Sequence, residues 1–375
     1  MAGIYLHIPF CKQACSYCDF HFSTSLRFKD QLLEAMKKEL LLRKEELNQE
    51  PLKAIYFGGG TPSILTATEI NSFCSLIQEQ YVCENDLEIT LEANPDDLTS
   101  NYLNDLTTTP INRLSVGIQS FRDEDLKLMN RAHTSKQAQQ SLALIVQQFD
   151  NYTLDLIYGI PGLSHEDWIN NIKIALSYSP KHISAYALTV EHKTVLDHQI
   201  KKKLIKPVDE QQSQEQFFIL KELLEKEGFE QYEISNFAKD SNYAVNNTAY
   251  WKQEPYLGIG PSAHSFDGIN RSWNKANNWK YIRAIQEDSL PSEKEQLSLW
   301  ESYNEFVMTG LRTMWGIAIK DLEDKFSEAL VAYFIRECEP KLKNKILINE
   351  KGVIKLHPSQ LFYADGIASD LFFVP

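Results

Sequence analysis

Six short apolar runs recur along the first half of the chain, and segments with the spacing of amphipathic helices separate them. The runs cover residues 4–8, 53–57, 87–91, 113–118, 153–158 and 182–187. Short apolar runs between turn residues predict strands, and strands that alternate with helices predict a parallel sheet with right-handed crossovers. Six such repeats favour an α/β fold in which the strands form an open or partial (β/α)6 TIM-like barrel.

Glycine and polar residues stand at the ends of these runs. The second run leads into Gly58-Gly59-Gly60-Thr61, the third precedes Glu92, the fourth precedes Gln119, and the fifth contains Asp155. In barrels of this kind ligands bind at the carboxyl ends of the strands. We therefore expect a ligand site there. The alternative for each residue taken alone is an ordinary hydrogen bond at the barrel mouth.

Three of the six cysteines, Cys11, Cys15 and Cys18, lie within eight residues directly behind the first run. Thiolates select zinc, copper(I) or iron-sulfur clusters. A structural zinc site needs a fourth Cys or His at a comparable spacing, and Cys74, Cys83 and Cys338 are isolated. The spacing therefore favours a 4Fe-4S cluster on three cysteines, which leaves one iron open to another ligand. A redox disulfide and an adventitious metal site are the alternatives.

Composition limits the location and the partners. The 375 residues contain no run of eighteen apolar residues, the mean hydropathy is -0.35, and no charged and apolar leader precedes the cysteines. We expect a cytoplasmic protein that is not an integral membrane protein, because a reducing compartment keeps thiols available as ligands. The net charge of -13 argues against a nucleic-acid partner, which usually requires a basic face.

The second half of the chain predicts additional elements and a boundary. Residues 209–227 predict a helix and residues 232–237 a strand, while residues 246–251 and 256–265 combine aromatic, amide and small residues. That combination suits either a ligand wall or a barrel-closing loop. An acidic linker at 287–295 precedes two predicted helices, 302–314 and 322–335, and a hairpin that turns at Glu350-Lys351-Gly352. We predict a barrel over 1–235, a connecting region over 236–300, and a small winged-helix-like α+β module over 301–375.

The cysteine pattern carries a family resemblance. The run Cys-x3-Cys-x-Tyr-Cys, preceded by Tyr-x-His-Ile-Pro-Phe, resembles the radical S-adenosylmethionine (SAM) superfamily. More narrowly, it is similar to the oxygen-independent coproporphyrinogen III oxidase group and its heme-chaperone (HemW) branch. The resemblance covers nearly the whole chain. It implies a 4Fe-4S cluster on the three cysteines, SAM at the open iron, and an electron donor for the cluster.

The same resemblance implies roles for residues at the strand ends. It places Tyr5 beside the cluster and the segment Gly59-Gly60-Thr61 along the methionyl part of SAM. The implied polar contacts are Glu92, Gln119, Arg131 and Asp155. In the oxidases several matching positions serve a second SAM, so one or two SAM molecules are compatible with the sequence. Arg131 has an alternative as an ion-pair partner of Glu124 or Asp125.

Three departures from the oxidases favour the heme-chaperone branch. The chain lacks their N-terminal extension, it has Phe20 where they carry a further cysteine, and its Asn-x-x-Tyr-Trp run at 247–251 resembles the chaperones. That branch usually has a histidine at the position of Asn246, and an amide is a poor iron ligand. The candidate heme ligands are therefore His21, His133 and His264, with His264 ranked first.

The expected function is that of a heme chaperone. Such a protein would bind the cluster, SAM and heme, and deliver heme to an acceptor protein that can be membrane-bound. The alternative is SAM-dependent radical decarboxylation of coproporphyrinogen III to protoporphyrinogen IX. A radical SAM enzyme with an unrelated substrate is the third candidate. The sequence leaves open whether any substrate is turned over.

Overall fold

The fold was analysed in a computed structural model, which describes residues 2–47 and 49–375. Each of the six predicted runs forms a strand, and the strands pair in parallel in chain order. They are β1 (Ala2–Ile8), β2 (Leu52–Gly59), β3 (Cys83–Ala93), β4 (Arg113–Gln119), β5 (Tyr152–Tyr158) and β6 (His182–Ala187). The alternation of strand and helix in the sequence was therefore sufficient to predict the central sheet.

Helices connect these strands and cover one face of the sheet. They are α1 (Lys29–Leu42), α2 (Ala67–Gln80), α3 (Ser100–Leu106), α4 (Asp123–Leu128), α5 (Ser135–Ile145) and α6 (His165–Ser177), and a 3-10 turn covers Pro62–Ile64. Thr66 begins α2 with a capping box, in which its hydroxyl accepts from Glu69 N and the Glu69 carboxylate accepts from Thr66 N. The outward side chains of β1, Ile4, Leu6 and Ile8, are fully buried beneath the helices. The inward side chains therefore line the interior of the barrel.

The sheet continues beyond the six strands on both sides and remains open. The further elements are α7 (Val195–Lys201), α8 (Glu210–Lys226), β7 (Glu230–Glu233), β8 (Asn236–Ala238), α9 (Val245–Trp251), β9 (Tyr256–Ile259), β10 (His264–Phe266), β11 (Asn270–Asn274), α10 (Asn278–Gln286) and β12 (Ser292–Gln296). Among the described residues the sheet has twelve strands in the order β12-β11-β10-β9-β1-β2-β3-β4-β5-β6-β8-β7. The predicted partial barrel is confirmed, because the six parallel strands stand in chain order within a sheet that remains open.

Three predictions for the second half of the chain were wrong in detail. The helix expected over 322–335 is interrupted, since one helix ends at Lys325 and the next begins at Glu328. The single strand expected over 232–237 is two short strands, because the Glu233 carboxylate accepts hydrogen bonds from Ser235 N and Asn236 Nδ2 and so closes a turn between them. The acidic linker is also partly a strand. Its second half forms β12, whose five residues are exposed and pair with β11 at the sheet edge.

The C-terminal segment has an apolar core of its own. It contains α11 (Leu299–Leu311), β13 (Ile317–Ala318), α12 (Ile319–Lys325), α13 (Glu328–Lys343), β14 (Leu347–Glu350), β15 (Val353–Leu356), a 3-10 turn (Pro358–Tyr363) and α14 (Ala364–Ser369). The predicted hairpin is present, with Lys351 and Gly352 both at positive φ in its turn. Buried residues such as Tyr303, Phe334 and Leu371 form this second core. The exact division at residues 235 and 300 stays a prediction.

The C-terminal segment covers one edge of the sheet. Thr313, just after α11, forms a bridge with Glu233 of the edge strand β7. On either side of this bridge Ile234 N donates to Arg312 O at 3.1 Å, and Met314 N donates to Tyr232 O at 3.0 Å. Within the described ranges, no helix is sufficiently long and apolar to cross a membrane.

Candidate cluster and cofactor site

The cysteine loop follows β1 and is fixed to its surroundings by hydrogen bonds. Cys11 N donates to Ser23 O at 3.1 Å, Ser16 N donates to Met129 O at 3.0 Å, and Asn130 Nδ2 donates to Ala14 O at 2.7 Å. Lys12 forms an ion pair with Asp97, in the turn after β3. The loop is thus held at the carboxyl ends of the strands by elements far from it in sequence.

The three cysteines of the loop are free thiols of intermediate exposure. Burial raises the pKa of Cys11 and raises that of Cys18 to about 11, and the nearby thiol of Cys15 contributes to both increases. The three sulfur atoms therefore occupy one neighbourhood. In the part of the chain that the structure describes, no three Cys, His, Asp or Glu side chains surround the position of one metal ion. A cubane requires a different arrangement, because each cysteine binds its own iron, and soft thiolates suit it.

Arg131 extends to the cysteine loop from the segment before α5. Its Nη1 donates to Cys15 Sγ at 3.3 Å, and its Nη2 donates to Asn94 Oδ1 at 2.6 Å and to Gly117 O at 2.9 Å. Its Nε is buried without a hydrogen-bond partner among the described residues. The alternative pairing of Arg131 with Glu124 or Asp125 is wrong, because Arg122 forms those ion pairs.

The glycines at the end of β2 bring this strand against the cysteine loop. Gly59 has a φ of +105°, and a Cβ there would lie 2.6 Å from His7 Nδ1. A Cβ on Gly60 would lie 2.6 Å from Phe10 O, so side chains are excluded by backbone and ring contacts. Thr61 N donates to Phe10 O at 2.7 Å, and its hydroxyl accepts from Asn94 Nδ2 at 3.2 Å. These residues fix the loop in place beside the strand ends.

Two carboxyl groups lie inside the barrel near its mouth. Glu92 accepts from Tyr56 Oη at 2.8 Å and from Gly59 N at 3.2 Å, and burial, with a contribution from Asp155, raises its pKa to about 7. Asp155 accepts from Ser115 Oγ at 3.0 Å, and burial raises its pKa to about 6. Carboxyl oxygens in this setting can accept hydrogen bonds from an ammonium group or a diol of a ligand.

Tyr5 and Gln119 complete the set of predicted residues. The Tyr5 and Tyr56 rings stack with centroids 6.0 Å apart, and the Tyr5 hydroxyl lies 3.3 Å from His7 Nδ1. Gln119 ends β4 with a φ of +67°. A Cβ on Gly117 would lie 2.9 Å from Gln119 Nε2 and 3.2 Å from Arg131 Nη2. The missing side chain of this glycine therefore gives both polar groups room at the strand end.

The histidines proposed as heme ligands have different environments. His133 is buried with Nε2 3.1 Å from Ile118 O, so its ring belongs to the core. His21 lies with Nε2 2.7 Å from Asn278 Oδ1 and stacks on His7. His264 is exposed and stacks on Trp273. Asn246 lies far from the barrel mouth. Its N–H donates to Glu88 Oε1, near the middle of β3, and its helix α9 packs on β1 and β2, close to Gly3 at the start of β1.

Sequence reasoning missed Asn94, which joins Thr61 to Arg131 through the two ends of its amide. A signal was available, since Asn94 follows β3 directly and so occupies the same kind of strand-end position as Gln119. It also missed Tyr56, the donor to Glu92, because an inward tyrosine in a strand is usually assigned to the core.

Family models match both halves of the chain. The radical SAM superfamily matches residues 5–175, and the HemN C-terminal domain matches residues 297–361. The solved structure of coproporphyrinogen III oxidase (HemN) from Escherichia coli superposes with a TM-score of 0.85. The match covers 99% of this chain and 90% of that chain, at 21% identity. At that identity the likeness establishes the fold.

Curated relatives match almost end to end. The heme chaperone HemW of Bacillus subtilis is 32% identical over 360 residues, which cover 95% of each chain. HemW of Lactococcus lactis is 31% identical, covering 94% of this chain and 92% of its own. The bovine mitochondrial radical S-adenosyl methionine domain-containing protein 1 is 30% identical, covering 95% and 82%. Radical SAM proteins use a 4Fe-4S cluster and SAM, and the three thiols of the loop have the chemistry that this cluster needs. This chain belongs to the heme chaperone HemW family within the radical SAM superfamily.

Proposed function

We propose that this protein is a heme chaperone that binds a 4Fe-4S cluster, SAM and heme, and delivers the heme to an acceptor protein. The observation that carries the proposal is the match to the Bacillus subtilis heme chaperone over 95% of both chains. The geometry of the barrel mouth supports it, because a three-thiol loop, two carboxyl groups and a buried guanidinium lie at adjoining strand ends.

In this proposal the residues of the chain hold and orient the cofactors. Cys11, Cys15 and Cys18 would bind three irons, and the cluster would supply an electron to SAM at the fourth. Arg131 donates to Cys15 Sγ and keeps a positive charge beside the ligand loop. Glu92 and Asp155 would accept hydrogen bonds from SAM, with Tyr5, Gln119 and the segment Gly59-Gly60-Thr61 around it.

The proposed function also implies which molecules the protein interacts with. We propose an electron donor for the cluster and an acceptor protein for the heme, which can be membrane-bound, and no nucleic-acid partner. With a net charge of -13, the protein should give no salt-sensitive gel shift with duplex DNA at physiological ionic strength. A cytoplasmic location fits the reduced thiols of the loop.

One anaerobic experiment separates the chaperone from the decarboxylase. The reconstituted protein is titrated with heme, and a parallel sample receives coproporphyrinogen III, SAM and a reductant. We expect a saturable Soret change with heme and no protoporphyrinogen IX in the second sample. Phe20, with 68% of its surface exposed, occupies the position at which the oxidases carry a further cysteine, which favours this outcome. SAM-dependent formation of protoporphyrinogen IX would overturn the chaperone reading.

A further inference from the structure

Beyond β1 the sheet continues with β9, β10, β11 and β12, which we call the extension. Aromatic side chains form a wall on the inner face of this extension. Residues that pair across neighbouring strands share a face, and side chains alternate along each strand. Gly3 pairs with Tyr256, Tyr256 with Phe266, Phe266 with Arg271, and His264 with Trp273. Since Gly3 and Tyr5 face the barrel interior, Tyr256, Phe266, His264, Arg271 and Trp273 face it as well.

The outer face of the same strands is closed by packing on α1. Leu257 and Ile259 are buried there, and Ser265 and Asn274 bond to Arg43 and Glu39 of the α1 region. The inner face differs, because its five side chains are exposed or only partly buried. Tyr250 of α9 contacts the Tyr256 ring, with centroids 6.1 Å apart. The rest of this aromatic surface lies beside a cofactor site and is typical of a ligand wall.

The wall is continuous with the cluster and cofactor site. Gly258 of β9 pairs with Tyr5 of β1, and a Cβ on Gly258 would collide with His264 O, so His264 lies at the level of Tyr5 in the barrel. His264 also helps to lower the pKa of His7, after the larger effect of burial. His7 in turn contacts Tyr5 and the backbone of His21. A ligand on the wall would therefore lie beside the residues proposed to surround SAM.

We infer that this inner wall is the heme-binding site: the porphyrin rests on Trp273, Phe266 and Tyr256, and His264 is the axial ligand of the iron. The inference rests on the proposed chaperone function and specifies where that function resides. The chemistry fits, because a heme presents a large flat apolar face, an iron that accepts neutral imidazole, and carboxylates at one edge. The His264 ring stacks on Trp273 with centroids 6.0 Å apart and an angle of 29° between the ring planes, so the indole fixes the position of the imidazole.

The wall includes one cation, the guanidinium of Arg271. Arg271 donates to Glu305 of α11 at 2.7 Å, which uses part of its set of five N–H donors. The remaining donors can meet a heme carboxylate. Glu293 and Glu295 of β12 pair with Trp273 and Arg271 and so lie on the same face, at its β12 edge. The heme carboxylates are therefore expected to approach Arg271 from the side of β10, away from these two acids.

The test compares ferric heme and iron-free protoporphyrin IX in anaerobic titrations of the full chain. The variants are His264→Ala and Trp273→Ala. The controls are His21→Ala, which removes the other candidate ligand, and His165→Ala, a partly exposed histidine on α6 paired with Glu215. Circular dichroism and iron content are measured for each variant, so that loss of fold or cluster is separated from loss of the site.

We expect His264→Ala to shift the Soret band and weaken heme binding by at least about tenfold, the lower end of what loss of a supporting residue costs a metal site. Its affinity for protoporphyrin IX should stay close to wild type. Trp273→Ala should weaken both ligands and leave the Soret position unchanged. The inference is overturned if wild type binds heme and His264→Ala keeps the wild-type Soret band. It is also overturned if the Soret shift and the loss of heme affinity occur in His21→Ala instead. Failure of wild type to bind heme would reject the chaperone function itself, together with the site.

Discussion

The most demanding prediction concerns Glu39, a fully buried carboxylate on α1. It accepts hydrogen bonds from Arg43 Nη1 at 2.9 Å, Asn274 Nδ2 at 2.7 Å and Gly260 N at 2.9 Å, and from the hydroxyl of Tyr281. These donors belong to the C-terminal cap of α1, to β11, to the turn after β9, and to α10. The Glu39 carboxylate therefore attaches the sheet extension, which bears the aromatic wall, to α1.

Glu39→Gln keeps the volume and removes the charge. A glutamine has one acceptor oxygen and places an NH2 group against donors, so at least one buried N–H or O–H group loses its acceptor, at about 1–3 kcal/mol. Arg43, whose side chain is only 4% exposed, also loses its buried ion-pair partner. Breaking a buried pair from one side costs about 3–5 kcal/mol. We therefore expect the free energy of unfolding to fall by about 3–5 kcal/mol, a large part of the usual total of about 5–15 kcal/mol.

The assay is urea unfolding of the apoprotein, followed by tryptophan fluorescence and circular dichroism. Glu46→Gln is the matched control, because Glu46 also pairs with Arg43, at 2.8 Å, and its side chain is 44% exposed. The control should lose no more than about 1 kcal/mol. If Glu39→Gln lost no more than Glu46→Gln, the argument that the buried carboxylate anchors the extension would be refuted.

Three further predictions concern the cluster and cofactor site. Cys15→Ala should hold fewer irons than wild type after anaerobic reconstitution, whereas Cys74→Ala should hold four, and iron counting with the visible spectrum would show it. Arg131→Met should lower the reduction potential of the cluster in an EPR-monitored titration, because a positive charge and a donor to Cys15 Sγ are removed; an unchanged potential would contradict this. Burial raises the pKa of Glu92 to about 7 from an ordinary value of about 4.5, so the folded protein binds the proton more tightly than the unfolded chain. The stability of wild-type apoprotein relative to Glu92→Gln should therefore fall as the pH rises from about 4.5 to about 7, and urea unfolding at several pH values would measure it.

The sequence predicted the elements whose determinants are local. The period of apolar residues identified β1 to β6, and the spacing of Cys11, Cys15 and Cys18 placed these three candidate ligands on one loop. In each case the residues that decide the structure are close together in the chain, so their pattern can be read directly.

Contacts between distant segments could not be read in this way. Arg131 lies 116 residues from Cys15, and Asn94 lies 33 residues from Thr61. The register of the strands decides which partner a given cation contacts, and the sequence left Glu124 and Asp125 as alternative partners for Arg131. The strand β12 was missed for a related reason, since an exposed run of charged residues has no apolar period and becomes a strand only because β11 lies beside it.

An incompletely closed barrel leaves two sheet edges, and each is protected from self-association in a different way. At the β12 edge Glu293, Lys294 and Glu295 are exposed, and charges on an edge strand discourage pairing with a second chain. At the β7 edge the protection comes from Thr313 of the C-terminal segment, which occupies the position that another strand would take. The C-terminal segment therefore also acts as a cover against edge-to-edge aggregation, and a chain truncated before α11 would expose backbone donors and acceptors that the intact protein keeps paired.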